Sequence, residues 1–111
     1  MATAKFIHDG NSIDYTPGSN VAAGDVVVQG DLVGVAKRDI VANTLGALAV
    51  TGVFDVPKAT GAGTAIASGA KVYWNATAQQ ATTTASGNKY LGKTVKATVD
   101  ADATVRVRLE Q

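Results

Sequence analysis

The sequence predicts an all-β fold: a small antiparallel barrel or sandwich of short hairpins, with at most one or two short helical turns. Three observations predict it. Val26 to Val28 and Leu32 to Val35 are β-branched runs flanking Gly30-Asp31, a dipeptide suited to a two-residue hairpin turn. Thr104 to Glu110 alternates strictly, with Val105, Val107 and Leu109 on one face and Thr104, Arg106, Arg108 and Glu110 on the other. Twelve glycines punctuate the 111 residues, and short strands broken by frequent turns are the pattern of a barrel or sandwich.

Taken in order, Lys5 to His8 reads as a short strand and Asp9-Gly10-Asn11 as a turn. Ser12 to Tyr15 alternates, placing Ile13 and Tyr15 on one face. Thr16 to Asn20 is a loop, and the central hairpin, Gly24 to Ala36, follows. Ile40 to Asn43 fits a strand end or a brief helical turn. Leu45 to Val56 is the longest extended stretch; Gly52 marks a bulge, a bend or a close approach, and Pro57 ends it. Lys58 to Thr64, with Gly61 and Gly63, reads as a mobile loop or a linker between sequence halves. Thr64 to Ser68 has room for one helical turn. Lys71 to Trp74 opens a second β unit, a solvent-facing strand fits Ala81 to Thr83, and Lys89 to Ala97 is extended again. The second unit echoes the first: Gly69 to Trp74 follows Gly24 to Val28, and Tyr90 to Thr94 follows Leu32 to Ala36.

A chain of this length makes one domain, residues 1–111. Hydrophobic residues reach 46% but aromatics only 5%, so Ala and Val carry the apolar share and the core is thin. A thin core is reinforced by disulfides, metal or subunit contacts. There is no cysteine and one histidine, which leaves subunit contacts. Ten basic residues against nine acidic give a net charge of +1, with no concentrated basic patch of the kind phosphate binding needs. No segment approaches transmembrane length. The sequence therefore argues against nucleic-acid, membrane and small-molecule partners, and against a metal or cofactor.

One motif invites an enzymatic reading. Gly87-Asn-Lys-Tyr-Leu-Gly-Lys-Thr94 matches the phosphate-loop pattern letter for letter. A phosphate loop needs a buried strand before it and a helix after it, so that backbone N–H groups and the helix N-terminus cradle the anion. Here a Thr-rich stretch precedes and β-favouring Val95 to Val99 follows, so Gly92 reads instead as a strand glycine, like Gly34. His8, Asp9 and Ser12 are too close in sequence to build a hydrolase triad with its oxyanion hole. Asp100 and Asp102 read as a solvated turn, and Tyr73 with Trp74 as packing aromatics rather than a sugar platform. A non-enzymatic module is the expectation.

Ala23 to Val28, Leu32 to Ala36 and Gly46 to Lys58, continuing through Ser68 to Asn75, Tyr90 to Lys93 and Ala103 to Leu109, resemble the bacteriophage capsid cement, or head decoration, proteins in their joint order and spacing. Ala70 departs from the acidic residue expected after that glycine. The resemblance implies a phage or prophage virion protein made in the bacterial host cytoplasm. It would bind the major capsid protein on the exterior of an assembled head, act as a homotrimer and stabilise the shell without catalysis. On that reading the expected capsid contacts are Met1, Ala2, Thr3, Ala4 and Lys5, an arm outside the core, together with loop 58–64. A tail or fibre component and a carbohydrate-binding β module are the alternatives.

Overall fold

The computed structural model describes residues 3–110. Among them the chain is all β, without a helix. The first four strands are β1 (Ser12–Tyr15), β2 (Val26–Gln29), β3 (Leu32–Val35) and β4 (Gly46–Ala49). The remaining five are β5 (Thr51–Pro57), β6 (Lys71–Asn75), β7 (Gln80–Thr82), β8 (Lys89–Thr94) and β9 (Thr104–Glu110). They form two antiparallel sheets, β1-β4-β3-β2 and β5-β9-β8-β6-β7, which pack as a sandwich. A single parallel bridge from Lys58 to Ala81 draws the edges of the larger sheet together without closing a barrel.

The central hairpin forms as its residues dictate. Val26 pairs with Val35 and Gln29 with Leu32, leaving Gly30-Asp31 as the two-residue turn. Gly30 takes a φ of 61°, which only glycine adopts without a Cβ penalty. The alternation of β9 is reproduced in full: Val105, Val107 and Leu109 are buried and their neighbours exposed.

The loose sequence echo is a structural duplication. The strands at residues 12–49 are ordered first, fourth, third, second across their sheet, and those at residues 51–110 repeat that order once β7 is set aside as an edge addition. The registers coincide. Val27 pairs with Gly34 as Val72 pairs with Gly92, and Val26 with Val35 as Lys71 with Lys93. Entry turns match too: Gly24 N–H donates to Ala36 O at 2.6 Å, and Gly69 N–H to Thr94 O at 2.8 Å. Further out, Ile40 N–H donates to Val21 O at 2.8 Å as Thr98 N–H donates to Ile66 O at 2.9 Å.

Three expectations change. Leu45 to Val56 is two strands in different sheets. Buried Val50 lies at the crossing, its N–H donating to Asn11 O at 3.0 Å, and Gly52 follows at φ 113°. Lys5 to His8 is no strand, because no neighbour pairs with it. Thr64 to Ser68 forms no helical turn; Ile66 is drawn into the paired contact with Thr98 instead.

One core cluster joins both sheets: Val33 and Val35 meet Val56, Val72, Trp74, Leu91, Val105, Val107 and Leu109. A smaller cluster of Ala36, Ile40 and Leu48 lies under Ile13, Tyr15 and Val27. Besides Trp74, every buried core side chain is aliphatic, so the core is thin as its composition dictates. Packing leaves no room for a side chain at Gly34, Gly46 and Gly92. A Cβ on Gly34 would stand 2.9 Å from Leu48 Cβ, and one on Gly92 would overlap the Arg108 carbonyl oxygen.

Candidate functional site

The phosphate-loop letters do not make a phosphate loop. Lys89 to Thr94 is strand β8, paired on one side to β6 and on the other to β9. Lys93 Nζ lies 3.7 Å from a Glu110 carboxylate oxygen. The Thr94 hydroxyl donates to Ala67 O at 2.6 Å and accepts the Ala70 N–H at 3.0 Å. The backbone that would cradle phosphate is spent on the sheet.

The other chemical candidates resolve into structure. His8 Nδ1–H donates to Asp9 O at 2.6 Å, while Ser12 sits in β1. Asp100 accepts the Thr64 and Ala65 N–H groups at 3.1 and 2.9 Å, and Asp102 accepts that of Val99 at 2.9 Å. Trp74 is 3% exposed, so no indole is presented to a sugar. Tyr73 stacks edge-to-face on Tyr90 instead, with ring centroids 5.7 Å apart. Among the described residues no cluster of His, Cys, Asp or Glu is placed to hold a metal ion.

Exposed ion pairs decorate the sheets rather than define a site. Arg106 grips Asp55 with two bonds, at 2.9 and 3.1 Å, and Lys89 reaches Asp31 at 2.7 Å. The hydrogen bond from Arg106 holds the Asp55 carboxyl below its ordinary range, and that from Lys89 does the same for Asp31. A depressed folded pKa adds stability above the unfolded value, and that stability is lost as pH falls through the folded one. Thermal stability is therefore expected to drop modestly on acidification below about pH 4. Arg106→Gln together with Asp31→Asn should flatten that decline, as read by melting at a series of pH values.

What remains available for contact is apolar and local. The arm before β1 carries Phe6 at 78% and Ile7 at 74% exposure. Thr3, Ala4 and Lys5 are exposed beside them, and Met1 and Ala2 lie outside the described residues. Sequence reasoning placed the contacts at residues 1–5 and read Phe6 and Ile7 as part of a strand, whereas both are exposed outside any strand. The missed signal is two adjacent apolar residues, which a strand covered on one face only cannot both bury. A groove of about 620 Å³ lies beside β1 and β4, lined among others by Asp14, Arg38, Ile40, Val41, Leu45 and Ala47. Val41 and Leu45 at its rim are 63% and 71% exposed. Loop 58–64 is better anchored than its glycines suggest. Lys58 is buried, its ammonium donating to Ala59 O at 2.7 Å, and Gly61 N–H donates to Asp100 O at 3.0 Å.

The surface thus carries exposed apolar side chains on the arm and at the groove rim, over a well-paired double sheet. A family model described as a phage cement protein matches residues 7–109. No curated protein and no solved structure matches the chain. With all but the ends of its 111 residues inside that match, the chain belongs to the phage cement protein family.

Proposed function

We propose that this protein binds the outside of an assembled phage or prophage head as a homotrimer and stabilises the shell without catalysis. The observation that carries the reading is the family match across residues 7–109. The exposed arm leading into β1 supports it, since Phe6 and Ile7 have no cover from their own chain.

The mechanism needs no reactive group. A protein that binds the assembled, expanded shell better than free subunits stabilises the shell by mass action. Each contact can be weak, because many symmetric copies engage one lattice and their effects multiply. A sheet core of locked backbone pairs suits that role, holding the loops in fixed relation while the lattice is strained. On this reading the major capsid protein is the partner, and residues 1–5 of the arm supply contacts to it. Anchored loop 58–64 presents a second, stiffer contact.

The test uses heads of the encoding phage stripped of this protein. Adding the purified protein should raise the temperature or osmotic stress the heads withstand, and failure to bind assembled heads overturns the proposal. Deleting Met1 to Lys5 should weaken binding at least tenfold while leaving the circular dichroism spectrum unchanged. Undiminished binding of that variant would remove the arm from the contact.

A further inference from the structure

The duplication shows which features of the second half the shared fold does not require. By strand register and the matching outer bonds, Val56 and Ile66 stand where Tyr15 and Val21 stand in the first half. Five residues, 16–20, join the first pair, whereas nine, 57–65, join the second, so the second connection carries an insertion. The second residue of each connection is buried. In the first half it is Pro17, with no side-chain donor; in the second it is Lys58, 4% exposed. An apolar ring therefore suffices at that place in the fold. Lys58 instead puts an ammonium out of water with no ion-pair partner among the described residues, an arrangement that costs stability.

What the ammonium holds is the inserted loop. It donates to Ala59 O at 2.7 Å and to Thr64 Oγ1 at 3.4 Å, so one buried side chain spans the loop from its start to its end. The Thr64 hydroxyl donates to Gly61 O at 2.6 Å, and the Thr64 N–H donates to an Asp100 carboxylate oxygen at 3.1 Å. Gly61 N–H donates to Asp100 O at 3.0 Å, tying the middle of the loop to the same neighbour. We infer that Lys58 is a positioning residue whose buried ammonium sets the inserted loop in one conformation before it meets a partner. A loop with two glycines has much backbone freedom to lose on binding, and ordering it in advance removes that cost from the association. The loop's role as a shell contact rests on the capsid-binding reading. The lock itself does not, and is measured on the purified protein alone.

Lys58→Met keeps an unbranched side chain of similar volume and removes the ammonium. Hydrogen exchange at the Gly61 and Thr64 amides should quicken by roughly tenfold or more, the effect of losing hydrogen bonds to a charged group. The urea midpoint should stay at or above that of wild type, since an apolar side chain replaces a buried unpaired charge. Thr64→Val removes the ammonium's second acceptor with Lys58 left in place, and should loosen the same amides. Both variants should bind stripped heads about tenfold more weakly, the cost of ordering the loop moving into the association. A lowered midpoint with unchanged exchange in Lys58→Met would make the lysine a residue of the fold and overturn the inference. Wild-type exchange in Thr64→Val would overturn it too, even if Lys58→Met failed to fold. Loosened variants that bind heads as tightly as wild type would remove the positioning role. Heads that bind no wild-type protein would instead sink the capsid reading, with the lock still decided by exchange.

Discussion

Gly92→Ala is expected to be the most damaging single methyl group that can be added to this chain. In β8 the added Cβ would overlap the Arg108 carbonyl oxygen and lie 2.9 Å from its carbon and 3.1 Å from Leu109 Cα. All three are backbone atoms of β9, which is held in register from both sides: Gly92 pairs with Leu109 while Leu109 also pairs with Gly52. No rotamer change relieves such a clash, so the two strands must part at the centre of the larger sheet. Overpacking a core costs about 1–3 kcal/mol where side chains can shift, and about 3 kcal/mol or more is expected where they cannot. Against a total of roughly 5–15 kcal/mol for a small domain, that removes a large share of the stability of a thin-cored protein.

The duplication supplies an internal scale. At Gly34, the equivalent position, a Cβ would lie 2.9 Å from Leu48 Cβ and 3.2 Å from Ala49 O. Leu48 Cβ moves only with its backbone, but the overlap is far smaller than at Gly92 and a shift of a few tenths of an ångström relieves it, so Gly34→Ala should cost about 1–3 kcal/mol. At Gly10 nothing lies within 4 Å and φ is unremarkable, so Gly10→Ala should stay within about 0.5 kcal/mol of wild type. Urea midpoints should rank Gly10→Ala above Gly34→Ala above Gly92→Ala. A Gly92→Ala protein that unfolds with the wild type would mean that β8 and β9 do not approach as described.

That ranking also marks where the sequence was legible. The hairpin at Gly30-Asp31 and the alternation of Thr104 to Glu110 are local patterns, and the structure follows them residue for residue. The echo between Gly24–Ala36 and Gly69–Thr94 was readable as letters, but its meaning, two sheets of one strand order, depends on long-range pairing that no window contains. The crossing at Val50 was only hinted at, by Gly52 as a bulge, bend or close approach, because apolar alternation runs through it unbroken and the hydrogen bond to distant Asn11 lies outside any window. The arm was half seen. Its isolation from the core was legible, whereas the exposure of Phe6 and Ile7 required knowing that no strand lies beside them. The groove at Asp14 was illegible, since Asp14 faces Ala47, where the second half sets Asp55 against Arg106, only through strand register.

The second large effect is expected at Trp74, where size and polarity pull in opposite directions. Its side chain is 3% exposed and joins the main cluster with Val35, Val56 and Ala81, so Trp74→Ala should cost about 3–5 kcal/mol and leave the protein unfolded or loosely packed. The indole N–H is a different matter, because Nε1 is buried and finds no acceptor among the described residues. A buried unpaired donor costs about 1–3 kcal/mol. Trp74→Phe removes that donor while keeping most of the ring, so the loss of area is largely offset and the variant should melt within a few degrees of wild type. Wild-type emission should be blue-shifted when folded, move to the red on unfolding, and not respond to added saccharides. A red emission from the folded protein that shifts on binding sugar would put the indole at the surface. It would return Trp74 from the core to a recognition role and contradict the packing described.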